Sequence, residues 1–204
     1  MKRSKISCVV LAAGLSSRFG SLKQLAKLNV GTSLIQNAVS IANKSKADYV
    51  FVVLGNKSSE IMRDLDPGRA QVLLNKDYRS GLSSSIKTAI SNLPSDCYAA
   101  VLMVADQPFL SPEHIDLLIN SMKTKPQSKM ACLAFENEPR NPVIFSEEVF
   151  PLLEKITGDK GAKDIVKTHA RDVTLINIKD RLVFQDVDTP SQLRVAPRIP
   201  KKGS

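Results

Sequence analysis

The sequence has no hydrophobic run long enough to cross a membrane, since no apolar stretch approaches the roughly 20 residues that a membrane-spanning helix needs. The basic segment Met1 to Lys5 is followed by a strand-like apolar run without a small-residue cleavage site, so we expect no cleaved signal peptide. Cysteine is scarce as well. The three cysteines are widely spaced and two lie in or beside apolar runs, which predicts reduced structural thiols and a cytoplasmic protein.

Several motifs are absent, and each absence excludes a kind of site. No CxxC pair or His/Cys cluster supports a zinc site. The phosphate-loop pattern G-x-x-x-x-G-K-[ST] is missing, and so is G-x-G-x-x-G, which argues against a nicotinamide-dependent oxidoreductase. Without G-x-S-x-G, hydrolase chemistry at a serine is not expected. His114 and His169 have no metal-ligating partner at helical spacing, so we expect structural or solvent-facing roles for both.

Charge is plentiful, but it is concentrated at the ends of the chain. The net charge is +9, and seven positive charges stand in terminal segments without acids, which leaves +2 for the body. We therefore expect solvated tails rather than nucleic-acid binding, and no membrane partner. With 204 residues, no repeat and no internal linker, the chain is predicted to form one domain over 1–204, with a core at 6–193 and a basic tail at 194–204.

Apolar runs that read as buried strands alternate with segments of helical periodicity, which is typical of βαβ units and a largely parallel sheet. Four such runs are predicted as strands, at 6–13, 48–55, 71–75 and 99–105. Further along we predict a strand at 130–135, a turn at 136–140, an extended piece at 142–145, and a hairpin that pairs 173–178 with 182–187.

The first predicted strand opens into a loop of small and polar residues. The loop starts at Gly14 and contains two cations, Arg18 and Lys23. Free backbone N–H groups in such a loop face an anion, and cationic side chains neutralise it. This pattern predicts a phosphate site.

A second polar loop lies before a predicted helix, at residues 75–85. Gly81 permits a tight turn there, and a serine among Ser83, Ser84 and Ser85 offers an N-cap for the helix. Two interpretations stay open from the pattern alone. The loop either binds a phosphate, sugar or base edge, or its serines merely cap the helix.

The fourth predicted strand runs straight into Asp106. A carboxylate just past the end of a buried parallel strand lies where open α/β sheets bind ligands, and it suits Mg²⁺; the alternative is a turn Asp before a proline. Asp188 follows another predicted strand. Together with Arg18 and Lys23 these carboxylates would surround one crevice, a set that suits a nucleoside triphosphate with Mg²⁺.

At this point the sequence resembles a known family. The opening loop, with Leu11-Ala12-Ala13-Gly14, Arg18 and Lys23, looks like the signature of the molybdenum-cofactor nucleotidylyltransferases, and the chain is most similar to their cytidylyltransferase branch. The other matching blocks occur in the same order: Gly81 to Ile86, Asp106-Gln107-Pro108, Asn141-Pro142-Val143-x-Phe145, Gly158 to Ala162 and Asp186 to Pro190. The resemblance covers roughly residues 6 to 193.

The resemblance implies a three-layer, Rossmann-like nucleotidyltransferase fold, mostly parallel with one antiparallel strand and a small β-hairpin. It implies transfer of CMP from CTP to the terminal phosphate of molybdopterin, with release of pyrophosphate and dependence on Mg²⁺. The partners that it implies are the nucleotide, the phosphorylated pterin, and a molybdoenzyme of the xanthine dehydrogenase type or its insertion chaperone.

The same resemblance implies residue roles. Arg18, Lys23 and Asp106 would be catalytic, and Asp106 and Asp188 would be the metal ligands. The nucleotide would be bound by Leu11, Ala12, Ala13, Gly14, Arg18, Lys23, Gly81, Ser83 and Ser84. The acceptor would be bound by Asn141, Pro142, Gly158, Asp159 and Gly161.

One departure from the family pattern concerns the acceptor side, because Arg140 stands where these proteins often have Gly. Alternative functions are a guanylyltransferase, a sugar-phosphate nucleotidylyltransferase or a non-catalytic accessory protein for the cofactor. Ala12-Ala13-Gly14 favours CTP, since the guanylyl enzymes tend to carry a second Gly there.

Overall fold

The computed structural model describes residues 4–15, 19–28, 31–125, 127–159 and 161–195. Arg18 and most of the predicted basic tail lie outside these ranges. The strands are β1 Lys5–Leu11, β2 Tyr49–Leu54, β3 Gln71–Leu74, β4 Cys97–Val104, β5 Met130–Phe135, β6 Glu138–Ser146 and β7 Val173–Asn177. The α-helices are α1 Leu34–Lys44, α2 Ser58–Asp64, α3 Leu82–Ser91, α4 Pro112–Thr124, α5 Phe150–Leu153 and α6 Lys163–Thr168.

The seven strands form one sheet in the order β3-β2-β1-β4-β6-β5-β7. β6 pairs antiparallel with both β4 and β5, and the other pairings are parallel. This confirms the predicted fold class, a mostly parallel sheet with one antiparallel strand. The chain leaves β1 toward β2 and β3 on one side, while β4 lies on the other, so a crevice opens between β1 and β4 at the carboxyl edge.

Two apolar clusters, one on each face of the sheet, make the domain three-layered. Because side chains of a strand alternate between faces, Val10 of β1 packs with α1, α2 and α4, while Val9 packs with α3, α5 and α6. Both are fully buried. The helices present apolar residues to the sheet at the helical spacing of three and four residues. Ser33 caps α1 by accepting a hydrogen bond from the Gln36 N–H at 3.3 Å.

Three local predictions were wrong. The hairpin of 173–178 with 182–187 does not form, because β7 pairs in parallel with β5 and Arg181–Phe184 form a 3-10 helix. The hairpin of the fold is instead β5–β6, whose turn needs only Glu136 and Asn137, both with positive φ. β6 therefore occupies most of the predicted turn at 136–140. Helical spacing also predicts a core position for Leu152, together with Val149 and Leu153, but Leu152 is 37 % exposed.

The histidine at the start of α4 has a structural role, as predicted. The Nδ1 atom of His114 accepts a hydrogen bond from the Ser111 backbone N–H at 3.0 Å, and burial lowers the pKa of the imidazole. The three cysteines are buried and unpaired, and burial raises the pKa of Cys8 to about 12. Among the helices of the described ranges, none is long and apolar enough to cross a membrane.

Candidate active site

A cavity of about 500 Å³ opens at the carboxyl edge of the sheet, between β1 and β4. The last residues of these two strands, Leu11 and Val104, are direct neighbours in the sheet. The loops that follow them therefore start side by side and form the floor. The cavity is lined by Leu11, Ala12, Ala13, Gly14, Leu15, Phe19, Lys23, Gln24, Leu34, Tyr78, Arg79, Gly81, Leu82, Ser85, Val104, Ala105, Asp106, Asp159 and Asp188.

Lys23 lies between two carboxylates in this cavity. Its ammonium group donates to Asp106 Oδ2 and to Asp188 Oδ1, each at 2.8 Å. Burial by itself would lower the pKa of Lys23, but the two carboxylates, Asp106 foremost, outweigh burial and raise it. Lys23 therefore stays charged at neutral pH. Its side chain is only 14 % exposed and is held in place by the two ion pairs.

Backbone contacts bring the two carboxylates together although they are far apart in the sequence. The Val187 N–H donates to the Asp106 carbonyl at 2.9 Å, which places residue 188 beside residue 106. A side-chain bond repeats the connection, because Gln107 Nε2 donates to Asp186 Oδ1 at 2.9 Å. Desolvation and the nearby Asp106 charge raise the pKa of Asp186, in keeping with its place beside other carboxylates.

The turn that carries Asp188, residues 186–189, is also held by Gln192. Its Oε1 accepts hydrogen bonds from the backbone N–H groups of Asp188 and Thr189, at 2.7 and 2.8 Å. The Asp188 side chain is thus presented from a turn that is fixed on both sides. Val187, which is fully buried, packs with Phe19 and anchors the turn to the opening loop.

The opening loop is shaped by a buried glutamine, Gln24. Its Nε2 donates to the carbonyl oxygens of Ala12 and Gly14, at 3.1 and 2.9 Å, and the Ala12 N–H donates to Val53 on β2. The methyl groups of Ala12 and Ala13 are buried, so any ligand above them meets backbone. The position of Arg18, a predicted phosphate ligand, is not described.

The start of α3 forms a second wall, and its cap differs from the prediction. Gly81, not a serine, is the N-cap residue, and the carboxylate of Asp159 accepts the Leu82 N–H at 3.3 Å. The serines form other hydrogen bonds instead of capping the helix. Ser84 Oγ donates to the Gly81 carbonyl. Asn75 then donates to Ser84 and Ser85, at 2.8 and 3.0 Å.

Some of the residues that the sequence predicts to bind the nucleotide or the acceptor line this cavity, and others do not. Leu11, Ala12, Ala13, Gly14, Lys23, Gly81, Asp106, Asp159 and Asp188 line one cavity. Ser83, Ser84, Asn141, Pro142, Gly158 and Gly161 are not among its lining residues. Gly158 instead supports the wall, because its carbonyl accepts the Ser83 N–H at 3.1 Å.

The lining residues that the sequence reasoning did not assign to the site include Gln24, Tyr78 and Arg79. Arg79 adds a cation to the cavity, with its guanidinium 5.9 Å from the centre of the Tyr78 ring. Tyr78 and Arg79 lie in the polar loop at 75–85, for which the sequence left open either ligand binding or helix capping. Gln24 gave no signal, because its partners are backbone carbonyls 12 and 10 residues away in the sequence.

The two carboxylates fit a divalent cation of the Mg²⁺ type. Such an ion commonly takes one or two protein carboxylates and completes its shell with water and substrate phosphates. Within the described ranges, Asp106 Oδ1 is a buried oxygen without a hydrogen-bond partner, so this atom is available as a ligand. The same ranges hold no group of three or more His, Cys, Asp or Glu side chains that would bind a metal without substrate.

Comparison with known proteins agrees with this geometry. The family model described as MobA-like NTP transferase domain matches residues 8–173, which is most of the chain. The chain belongs to this family. It is therefore a nucleotidyltransferase, and the carboxyl ends of both strands that flank the cavity lie inside the matched segment.

Three curated proteins are similar to this member of the MobA-like family over nearly their whole lengths. The purine catabolism protein PucB of Bacillus subtilis is 28% identical over 90% of this chain and 92% of its own. Nicotine blue oxidoreductase of Paenarthrobacter nicotinovorans is 26% identical, covering 92% and 94%. Molybdenum cofactor cytidylyltransferase of Escherichia coli is 26% identical, covering 95% and 96%. The resemblance drawn from the sequence blocks is thereby confirmed.

Solved structures share the fold. The Rv0371c homologue from Mycobacterium sp. strain JC1 superposes with a TM-score of 0.82 at 29% identity, covering 94% of this chain and 98% of that one. Rv0371c of Mycobacterium tuberculosis, solved as a complex with manganese, gives a TM-score of 0.75 at 24% identity, covering 87% and 90%.

Proposed function

We propose that the protein transfers a cytidylyl group from CTP to the terminal phosphate of a phosphorylated pterin, molybdopterin, and releases pyrophosphate. The observation that carries the proposal is the position of Lys23 between Asp106 and Asp188, at the edge where β1 and β4 end. A fixed cation beside two carboxylates suits the transfer of a negatively charged group.

The reaction requires neither a nucleophilic side chain nor a strong general base from the protein. The acceptor phosphate is already an anion, so one of its oxygens can attack the α-phosphorus while the bond from that phosphorus to the bridging oxygen breaks. The electron pair leaves with pyrophosphate. Catalysis then consists of positioning and charge neutralisation. Lys23, which stays charged at neutral pH, would stabilise the negative charge at the α-phosphate.

We propose Mg²⁺ as the metal, held by Asp106 and Asp188. When bound, it supplies charge neutralisation at phosphate oxygens. The unpartnered Oδ1 atom of Asp106, within the part of the chain that is described, supports this role. Dialysis against a chelator should abolish turnover, and titration with Mg²⁺ and separately with Mn²⁺ should show which ion restores it.

The choice of CTP rests on the opening loop. The loop presents backbone from Ala12 to Gly14, held in shape by Gln24, and this backbone would read the edge of the base. The alternative nucleotide is GTP. Pyrophosphate release should be measured with each nucleoside triphosphate and the molybdenum cofactor as acceptor. Release with CTP alone supports the proposal, whereas preference for GTP, or turnover only with sugar phosphates, would overturn it.

A second candidate, an oxidoreductase, is favoured by one observation, the name of the relative from Paenarthrobacter nicotinovorans. The sequence itself speaks against a nicotinamide cofactor, because it has no G-x-G-x-x-G loop. Oxidation of NADH or NADPH should be followed at 340 nm with and without a quinonoid dye. We expect no oxidation above the protein-free rate, and catalytic oxidation would favour this candidate.

The product would pass to a molybdoenzyme of the xanthine dehydrogenase type or to its insertion chaperone. The resemblance to cytidylyltransferases supports this step. A coupled assay, in which the product restores activity to an apo-molybdoenzyme of that type, would test it.

A further inference from the structure

A second cavity, of about 560 Å³, lies at the carboxyl end of β5. It is formed where β5 ends, β6 begins and the 3-10 helix Arg181–Phe184 crosses them. Its lining residues are Phe135, Arg140, Arg181, Leu182, Phe184 and Gln185. None of these residues lines the first cavity.

The second cavity combines two cations with a rigid apolar wall. Phe135 and Phe184 have ring centres 6.4 Å apart at an angle of 56°, and Phe184 packs against the core. Arg140 and Arg181 are both exposed at the surface. Within the described ranges neither guanidinium forms an ion pair, and Arg140 makes only a long contact of 3.4 Å with the neighbouring Pro139 carbonyl.

This chemistry selects a particular class of ligand. A guanidinium is planar, binds carboxylate or phosphate with two parallel hydrogen bonds, and stacks on flat rings. Phenyl rings beside it bury the body of an aromatic ligand. Two arginines without acidic partners, in a cavity that two aromatic rings also line, therefore suit a flat ligand with an anionic group.

The two cavities are neighbours along one segment of the chain. Gln185 lines the second cavity and Asp188 the first. Three residues of extended chain span at most about 11 Å, so the Cα atoms of Gln185 and Asp188 are no farther apart than that. The segment between them is fixed, since Asp186 is bonded to Gln107 and Val187 to the Asp106 carbonyl. A ligand that occupies both cavities would therefore place its body beside Arg140 and Arg181 and its phosphate on the side of Asp188, which is bonded to Lys23.

We propose that the second cavity binds the planar, anionic body of the acceptor, with Arg140 and Arg181 as specificity-determining residues. The identity of the acceptor as a phosphorylated pterin rests on the proposed function. The cavity itself rests on its own geometry. Arg140 also stands where the family often has Gly, so this recognition distinguishes the chain from such relatives.

The test uses pterin-6-carboxylate, a fluorescent planar anion without a transferable phosphate, titrated into the full-length protein. Arg140→Ala and Arg181→Ala should each weaken binding by about tenfold or more, the scale of hydrogen bonds to charged groups. Lys179→Ala is the matched control, because it removes a nearby exposed cation that is not a lining residue. Lys23→Ala should also leave binding of this probe unchanged.

Equal affinity for the probe in wild type and in an Arg140→Ala/Arg181→Ala double variant would overturn the proposal. So would loss of binding in Lys23→Ala, since the probe would then occupy the first cavity. Both arginines are exposed, and unchanged thermal unfolding would verify that the variants fold. If the probe binds as expected but no nucleotide is turned over, the second cavity stands and the proposed function fails.

Steady-state kinetics give an independent readout when turnover occurs. Loss of either arginine should raise the KM for the pterin acceptor by about tenfold, with the KM for the nucleotide within about twofold of wild type. A change in nucleotide KM alone would contradict the assignment.

Discussion

The two cavities at the carboxyl edge of the sheet are built in opposite ways. In the first, the central cation is already paired, because Lys23 is bonded to Asp106 and Asp188. In the second, within the described ranges, Arg140 and Arg181 have no acidic partner. The difference indicates that the first is preorganised around a reaction, whereas the second leaves its charges for a ligand. Substitutions in the two cavities should therefore differ in which kinetic constant they change.

The largest effect is expected for Lys23→Ala. Removing this cation deletes a group that would stabilise charge in the transition state, so kcat should fall at least ~100-fold. The measurement is pyrophosphate release at saturating CTP and acceptor. Lys27→Ala is the control, because it removes an exposed lysine whose ion pair with Asp64 lies at the surface. Near-normal turnover of Lys23→Ala would contradict the proposed mechanism.

Asp106→Asn tests the carboxylate side of the same site. The amide keeps the shape but lacks the charge that a divalent cation needs, so kcat should fall about 100-fold and the Mg²⁺ concentration for half-maximal rate should rise. Asp116→Asn, at a carboxylate that accepts the Lys46 N–H on another face, is the matched control. An unchanged Mg²⁺ requirement would remove Asp106 from the metal site.

Gln24→Ala should affect nucleotide binding and stability together. It removes two hydrogen bonds to the opening loop from a buried side chain, which costs ~1–3 kcal/mol of unfolding free energy, and we expect the KM for CTP to rise about tenfold. Gln36→Ala is a close control, since Gln36 also makes two hydrogen bonds, with Asp66, but is only partly buried and does not line the cavity. Its nucleotide KM should not change.

Gly81→Ala should break the contact between the two loops that wall the first cavity. Gly81 has φ +88, and a Cβ there would lie 2.5 Å from Asp159 Oδ1 and 2.6 Å from the Gly158 carbonyl carbon. Strain of this kind costs ~1–3 kcal/mol. Gly20→Ala has the same backbone problem, at φ +76, but its Cβ would meet no atom of the described residues within 4 Å. Chemical denaturation of both variants separates the cost of the positive φ from the cost of the steric clash. Equal losses of unfolding free energy in the two variants would show that the clash with Asp159 and Gly158 contributes nothing.

The smallest effect concerns pH. Because the folded state raises the pKa of Lys23 above its ordinary value of 10.5, its ion pairs stabilise the fold at lower pH. That stabilisation is lost as pH rises through the folded pKa. The difference in unfolding free energy between wild type and Lys23→Met should be constant from pH 7 to 9 and decline above pH 10.5. A decline already near pH 8 would show that the carboxylates do not hold the lysine charged.

Features that depend on nearby residues could be predicted from the sequence. The alternation of apolar runs identified β1 to β4, and parallel strands place their carboxyl ends at one edge. This is why the convergence of Lys23, Asp106 and Asp188 was expected. Their catalytic and metal roles, like that of Arg18, remain predictions.

Features that depend on distant contacts could not be predicted. A serine looked like the best cap for α3, but Asp159 reaches its first N–H from 77 residues away. The hairpin after β7 looked plausible as a local pair, yet β7 gains a parallel partner in β5, which no local pattern reveals. Gln24 shows the same limit, because a polar residue in a loop gives no sign that it will be buried against carbonyl groups.

The bond between the Val187 N–H and the Asp106 carbonyl also bears on what a truncated chain can do. All seven strands of the described ranges end by Asn177, so a shortened chain that stops soon after this residue keeps every one of these strands but lacks Asp188. The lysine would then face only one of its two carboxylates. Nucleotide processing is thus coupled to completion of the chain, and a product that ends before residue 186 would hold a nearly whole fold with an incomplete reaction centre.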